Sequence, residues 1–263
     1  MLDKNRLFLE TENAIKWIKN YVDETGTQGV VVGNSGGKDS ATVIAMAVKA
    51  LGKEKVLTIA MPCNSIETDF DDAKLVAECF DVELLKIDLS QTYNLYESIL
   101  ENDGNLKLSL EAKVNIKPRI RMMTLYAIAQ SKNYLVIGTG NLCEKMVGYT
   151  TKWGDSASDF NPIANFTVDE VLAIGKYLGV PDRILNKAPA DGLGIKTDEE
   201  KMGIKYSQIA EMIEKGNIDD ENAKNEIIKR CKASSHKRRE VPIYYFEREN
   251  YLSIFDDTST MKK

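Results

Sequence analysis

The run Ser35-Gly36-Gly37-Lys38-Asp39-Ser40 follows the apolar stretch Val30-Val31-Val32-Gly33 almost at once and leads into Ala41 to Leu51, which is rich in Ala, Val, Ile and Met. A strand, a glycine-rich turn and a helix in that order form an anion site, because backbone amides and a helix N-terminus converge on negative charge. Gly36 and Gly37 let the backbone approach closely and take positive φ, and Ser35 and Ser40 add hydroxyl donors. The pattern is neither GxxxxGK[ST] nor GxGxxG. Asp39 is unfavourable beside a phosphate unless a cation lies between them, so it is a candidate Mg²⁺ ligand. A bare Gly-Gly with an Asp in the first helical turn would be only a turn and a dipole contact. The ordered strand, loop and helix favour the phosphate reading.

Further along, Glu144 comes just after the end of an expected strand, where it can complete a Mg²⁺ site with Asp39 and phosphate oxygens. A surface glutamate opening a helix fits its sequence equally well. Lys117, Arg119 and Arg121 form a local basic cluster in a chain of net charge −5, which suits a ligand that carries phosphates. Tyr149 and Trp153 flank Lys152 and suit either ring stacking or core packing. His236-Lys237-Arg238-Arg239 reads, by itself, as a charged helix end. Cys63, Cys79, Cys143 and Cys231 lie far apart with no C-x-x-C pair, so they are expected to be reduced packing residues.

The elements that must position these groups alternate. Helix is expected over 14–22, strand over 30–33, helix over 41–51, strand over 56–60, helix over 69–80 and strand over 83–87. A helix over 93–110, interrupted at Asn102-Asp103-Gly104, comes next. Pro118 is expected to open a helix over 119–131, ahead of a strand over 134–137. Thr167 and Glu170 form a capping box before a helix over 171–178, and 188–197 reads as a mobile loop or lid. The alternation predicts an α/β fold, a parallel sheet with helices on both faces, in a single domain over 1–263. The 263 residues, 43% hydrophobic and 29% charged, are those of an ordinary globular chain, with no apolar run long enough for a membrane span and no signal-peptide pattern in MLDKNRLFLETEN. A cytoplasmic protein is expected. The acidic balance argues against a nucleic-acid partner.

The SGGxDS loop resembles that of the N-type ATP pyrophosphatases. Asn115-x-Lys117-x-Arg119-x-Arg121-Met122, Gly138-Thr139 with Glu144, Gly148-Tyr149-x-Thr151-Lys152-Trp153-Gly154-Asp155, Thr197-Asp198-Glu199 and His236-Lys237-Arg238 are similar, in order, to motifs of ammonia-dependent NAD synthetases over about residues 10 to 242. The resemblance implies a Rossmann-like fold of the adenine nucleotide alpha hydrolase type and a homodimer. It implies ATP contacts from Gly33, Asn34, Ser35, Gly36, Gly37, Lys38, Asp39, Ser40 and Thr139, and Mg²⁺ at Asp39 and Glu144. Deamido-NAD contacts are implied at Arg119, Lys152, Asp159, His236 and Lys237, with Asp39, Glu144 and Lys152 as the catalytic groups. Val168 and Ala190 depart from the family pattern at positions that commonly touch ATP, so no role passes to them.

The implied reaction has two halves. The nicotinate carboxylate of deamido-NAD attacks the α-phosphorus of ATP, and ammonia then displaces AMP from the NAD-adenylate. No protein nucleophile is needed, in keeping with a single histidine. The length leaves no room beside this domain for a glutaminase, so ammonium is the expected nitrogen donor. An ATP pyrophosphatase acting on tRNA or a guanine nucleotide, and an ATP-binding module without turnover, are the alternatives.

Overall fold

A computed structural model describes residues 2–65, 67–187 and 197–244. Four short strands, β1 (Gly29–Gly33), β2 (Val56–Ala60), β3 (Glu83–Lys86) and β4 (Tyr134–Val136), form one parallel sheet in the order β3-β2-β1-β4. Val31 is level with Leu57 on one side and with Val136 on the other.

Successive residues of a strand face opposite ways, and here both ways are covered. Val30 and Val32 pack with Ile18 and Val22 of α1 (Lys4–Thr25), Ile44 of α2 (Lys38–Leu51) and Val76 of α3 (Glu67–Phe80). Val31 and Leu57 turn to the other face, against Tyr93 of α4 (Ser90–Ser98) and Ile116 and Ile120 of α5 (Leu110–Lys132). The expected three-layer α/β arrangement is therefore present.

A third apolar cluster lies to one side. It joins α6 (Leu142–Val147) and the start of α7 (Val168–Tyr177) to helices that follow the short α8 (Asp182–Leu185), namely α9 (Asp198–Met202), α10 (Tyr206–Lys215) and α11 (Glu221–Ala233).

Several boundaries differ from the sequence expectation. α1 begins ten residues early, because Asp3 caps the amides of Asn5 and Arg6 and the first turns are mostly exposed. Pro118 does not open α5; Ser109 caps it, and the proline lies within the helix, where it removes one N–H from the ladder. The break at 102–104 is real, since α4 passes into a single π turn, Ile99–Asp103, before Gly104. The capping box of Thr167 and Glu170 is formed as expected. Most of the anticipated lid, 188–196, including Ala190, falls outside the described residues.

The strand order places the switch in chain direction at β1, with β2 on one flank and β4 on the other. Ligands of open α/β sheets bind outside the carboxyl ends of the strands at such a point. The loops that leave β1 and β4 carry Ser35–Ser40 and Thr139.

Candidate active site

At this edge lies a cavity of about 570 Å³, lined in part by Gly33, Ser35, Lys38, Asp39, Thr139 and Glu144. Gly36 takes φ +69°, and a Cβ there would sit 2.7 Å from Asp72 Cβ and 2.8 Å from the Ala73 amide. Only glycine lets the loop lie against α3 in this way. Asn34 braces the turn, donating to Ala73 O at 2.9 Å while accepting from the Gly36 amide at 3.1 Å.

The Gly36 and Gly37 amides, expected to face an anion, are already bonded to the side chains of Asn34 and Ser35. The uncapped donors belong to α2 instead. Its N-cap, Gly37, has no side chain to satisfy the first-turn amides, so those of Lys38, Asp39 and Ser40 are left for a ligand.

Two carboxylates meet beside this terminus. Asp39 projects from the first turn of α2, and Glu144 closes a capping box with Asn141 at the start of α6. Asn141 is wholly buried and touches both: its Nδ2 donates to Asp39 Oδ1 at 3.2 Å and its backbone amide to Glu144 Oε2 at 3.0 Å. Enclosure by protein and the neighbouring charge of Asp39 push the Glu144 carboxyl well above the usual range. Burial favours the neutral amine of Lys38, but Asp39, Glu144 and Asp198 outweigh it and hold the ammonium, which lies 3.2 Å from Asp39 Oδ2. Two carboxylates crowded beside a phosphate-binding terminus fit Mg²⁺, which takes one or two protein carboxylates together with phosphate oxygens and water. Among the described residues no group of three or more His, Cys, Asp or Glu gathers as a metal site, so a closed all-protein cage is not the arrangement here.

The opposite wall comes from distant parts of the chain. Lys237 reaches back to Gly148 O at 2.8 Å and Thr150 O at 2.5 Å, and Arg238 donates to Lys145 O and Met146 O at the end of α6. Tyr149 donates its hydroxyl to Asp198, and the Tyr206 ring lies 5.7 Å from Lys38 Nζ. Asp155 is exposed on the cavity side yet walled in by protein, which raises its pKa although the Thr151 amide, donating to Oδ1 at 2.6 Å, and the charges of Lys237 and Arg121 oppose the rise.

Of the residues singled out in the sequence, the cavity gathers Gly33, Asn34, Ser35, Gly37, Lys38, Asp39, Arg121, Thr139, Glu144, Tyr149 and Lys237. Gly36 and Ser40 support the loop from behind, Ser40 through Ser35 Oγ and Gly37 O. Arg119, Lys152, Asp159 and His236 do not line it. Arg119 and Lys152 are neighbours, with Arg119 donating to Lys152 O at 3.3 Å. Asp159 spends its carboxylate on the Val136 amide, 2.7 Å away, and His236 is exposed. Trp153 is exposed at φ +60°, an unusual conformation for a bulky side chain.

Asn141, Asp198 and Tyr206 were not assigned from sequence. Asn141 carried a signal, as the residue three before Glu144 in a capping-box spacing. The other two approach the site only through the packing of α9 and α10 on α6.

The family described as NAD synthase matches residues 10–250. The NH(3)-dependent NAD(+) synthetase of Carboxydothermus hydrogenoformans is 39% identical, over 89% of this chain and 95% of its own. That of Archaeoglobus fulgidus is 40% identical, over 88% and 94%. Among solved structures, NMN synthetase from Francisella tularensis superposes with a TM-score of 0.85 at 33% identity, covering 91% of this chain and 99% of the other. NH3-dependent NAD synthetase from Campylobacter jejuni gives 0.76 at 28% identity, with coverage of 91% and 99%.

Proposed function

The chain belongs to the NAD synthase family, and from that premise we propose how its own residues divide the work. It catalyses the ATP-dependent amidation of deamido-NAD by ammonia, giving NAD, AMP and pyrophosphate. The observation that carries the assignment of roles is the meeting of Asp39 and Glu144 beside the uncapped terminus of α2.

In the first half-reaction a carboxylate oxygen of the substrate attacks the α-phosphorus, the bond to the bridging oxygen breaks, and pyrophosphate leaves. The first-turn amides of α2 and the Lys38 ammonium receive the charge that grows on pyrophosphate. Asp39 and Glu144 would hold Mg²⁺, whose charge neutralises the phosphate oxygens when it is bound. In the second half-reaction ammonia attacks the acyl carbon of the adenylate and AMP departs. Asp155, accessible in the cavity and with its carboxyl pKa raised, accepts the proton that ammonium must lose to become a nucleophile. Lys152 and Arg119, outside the cavity, meet the parts of the dinucleotide that extend beyond it, as do His236 and Asp159.

A homodimer in the cytoplasm, formed by one domain per chain, completes the reading. Its support is a band of exposed apolar side chains along α4, the π turn and α5: Leu95, Tyr96, Ile99, Leu106, Leu110 and Met123. No helix of the described residues is long and apolar enough to cross a membrane.

A second reading concerns the size of the acid. The superposition on an NMN synthetase supports amidation of the mononucleotide, which has the same reacting ring and lacks the adenylate half. Parallel turnover measurements with deamido-NAD and deamido-NMN rank the two. The route itself is tested with heavy oxygen in the substrate carboxylate: one labelled oxygen is expected in AMP, and label in inorganic phosphate with ADP as product would overturn the roles given to α2 and Lys38.

A further inference from the structure

One cation in the cavity has no role in this scheme. Arg121 projects from α5 into the cavity and donates from Nε to Met61 O at 3.0 Å and from Nη2 to Ser65 Oγ at 3.4 Å. Among the described residues no carboxylate lies within ion-pair distance of it. A guanidinium carries five donors in a planar fork, and these two bonds use its lateral edge. Among the described residues nothing bonds to the terminal edge, from Nη1 to Nη2.

The setting says what that edge reads. Pro118, Arg121, Met122 and Leu125 recur at helical spacing on the cavity side of α5, and Met61 extends this apolar stripe beside the guanidinium, while Asp155 and Asp69 of the same cavity act on it through their charge alone. An arginine among apolar walls suits a flat aromatic acid, with the ring against the apolar side chains and the carboxylate on the fork. The ATP phosphates already have their own donors in the first turn of α2 and Lys38. Desolvation works against the guanidinium charge and holds its pKa below the usual arginine value, a strain that an incoming anion relieves.

We propose that Arg121 is the residue that grips the reacting carboxylate of the substrate, through the Nη1/Nη2 edge, before adenylylation. The proposal rests on the amidation reading above. It also bears on product release, because amidation removes the charge that this arginine reads. One carboxylate oxygen held on the fork leaves the other directed at ATP for attack.

The test measures binding by calorimetry, to the full chain and to R121K and R121Q, of ATP by itself and, without ATP, of deamido-NAD and of NAD. NAD differs from the substrate only in having an amide for the acid. The wild-type protein is expected to prefer the acid by about tenfold or more, the scale of a hydrogen bond to a charged group. R121Q should reduce that preference to within about threefold with NAD affinity and ATP affinity unchanged, and R121K should retain part of it. Equal losses for acid and amide in R121Q would show a role confined to tying α5 to β2 and overturn the proposal. A loss in ATP affinity with the acid preference intact would place the fork on a phosphate and overturn it equally. Absence of any acid preference in the wild-type protein would do the same. Failure of the wild-type chain to amidate a nicotinate substrate would instead sink the reading on which the proposal stands.

Discussion

Asn141 joins Asp39 to Glu144, one carboxylate through its side chain and the other through its backbone amide. The pair is therefore set in place by a helix cap on α6 before any ligand arrives. In metal-free buffer, E144Q is expected to unfold at a higher temperature than the wild type, because enclosure and the nearby Asp39 charge both oppose the ionised form. Its turnover should nevertheless fall by about 10²-fold or more, and that of D39N likewise. Asn141→Ala should lower both turnover and stability, the latter by about 1 kcal/mol as for other lost caps. Thermal scans beside steady-state rates check all three; near-normal turnover of E144Q at saturating Mg²⁺ would refute its role.

The acid limb of the pH profile should report Asp155. Its carboxyl is raised by enclosure, so the base is lost, and the rate with it, at a pH above that of an ordinary aspartate as acidity increases. Stability runs the other way. The folded state holds this proton more tightly than the unfolded one, so the contribution is full below the unfolded pKa of about 3.9 and disappears as pH rises through the folded value. Asp155→Asn should accordingly remove the acid limb and raise the melting temperature at neutral pH. An unchanged limb in that variant would assign it to another group.

Gly148 ends α6 at φ +67°, and a Cβ there would lie 2.0 Å from Ser234 Cβ. Gly148→Ala therefore meets both backbone strain and a clash. A loss of about 2 kcal/mol or more is expected in denaturant unfolding. Ser234→Gly in the same chain should restore part of it, the part owed to the clash.

Leu110 is 79% exposed at the start of α5, in the apolar band proposed to meet a second chain. Leu110→Glu combined with Met123→Glu should convert the dimer to a monomer in light scattering while the far-ultraviolet circular dichroism stays unchanged. A wild-type chain that is monomeric at micromolar concentration would remove the homodimer from the scheme.

Much of this was legible from local signals. The strands β1 and β2 stand out because they are buried on both faces and so are apolar but for Thr58, and Gly36 stands out because its backbone conformation excludes a side chain. The position of Glu144 just after a strand end allowed a pairing with Asp39, but a surface helix start fitted it equally well, and the family resemblance decided between them. Pro118 misled because its usual place is the first turn, whereas here Ser109 supplies the cap. Asp198 fell within a family-like motif, but nothing local to it or to Tyr206 pointed to a role in the site. They come near Lys38 and Glu144 by tertiary packing among α6, α9 and α10, which neither spacing nor propensity encodes.

The bonds from Lys237 to Gly148 and Thr150, and from Arg238 to the end of α6, give the order of assembly during synthesis a specific form. Chains emerge from the ribosome N-terminus first. All four strands and α1 to α7 are complete by Tyr177, so the sheet and the terminus that receives phosphate can form while the residues that close the far wall are still being joined. A nascent chain halted after Leu185 would carry Asp39 and Glu144 but have neither the helices that pack on α6 nor a clasp over residues 145–150. Competence for the second substrate thus arrives late in translation, once Lys237 and Arg238 have been joined and can reach back to α6.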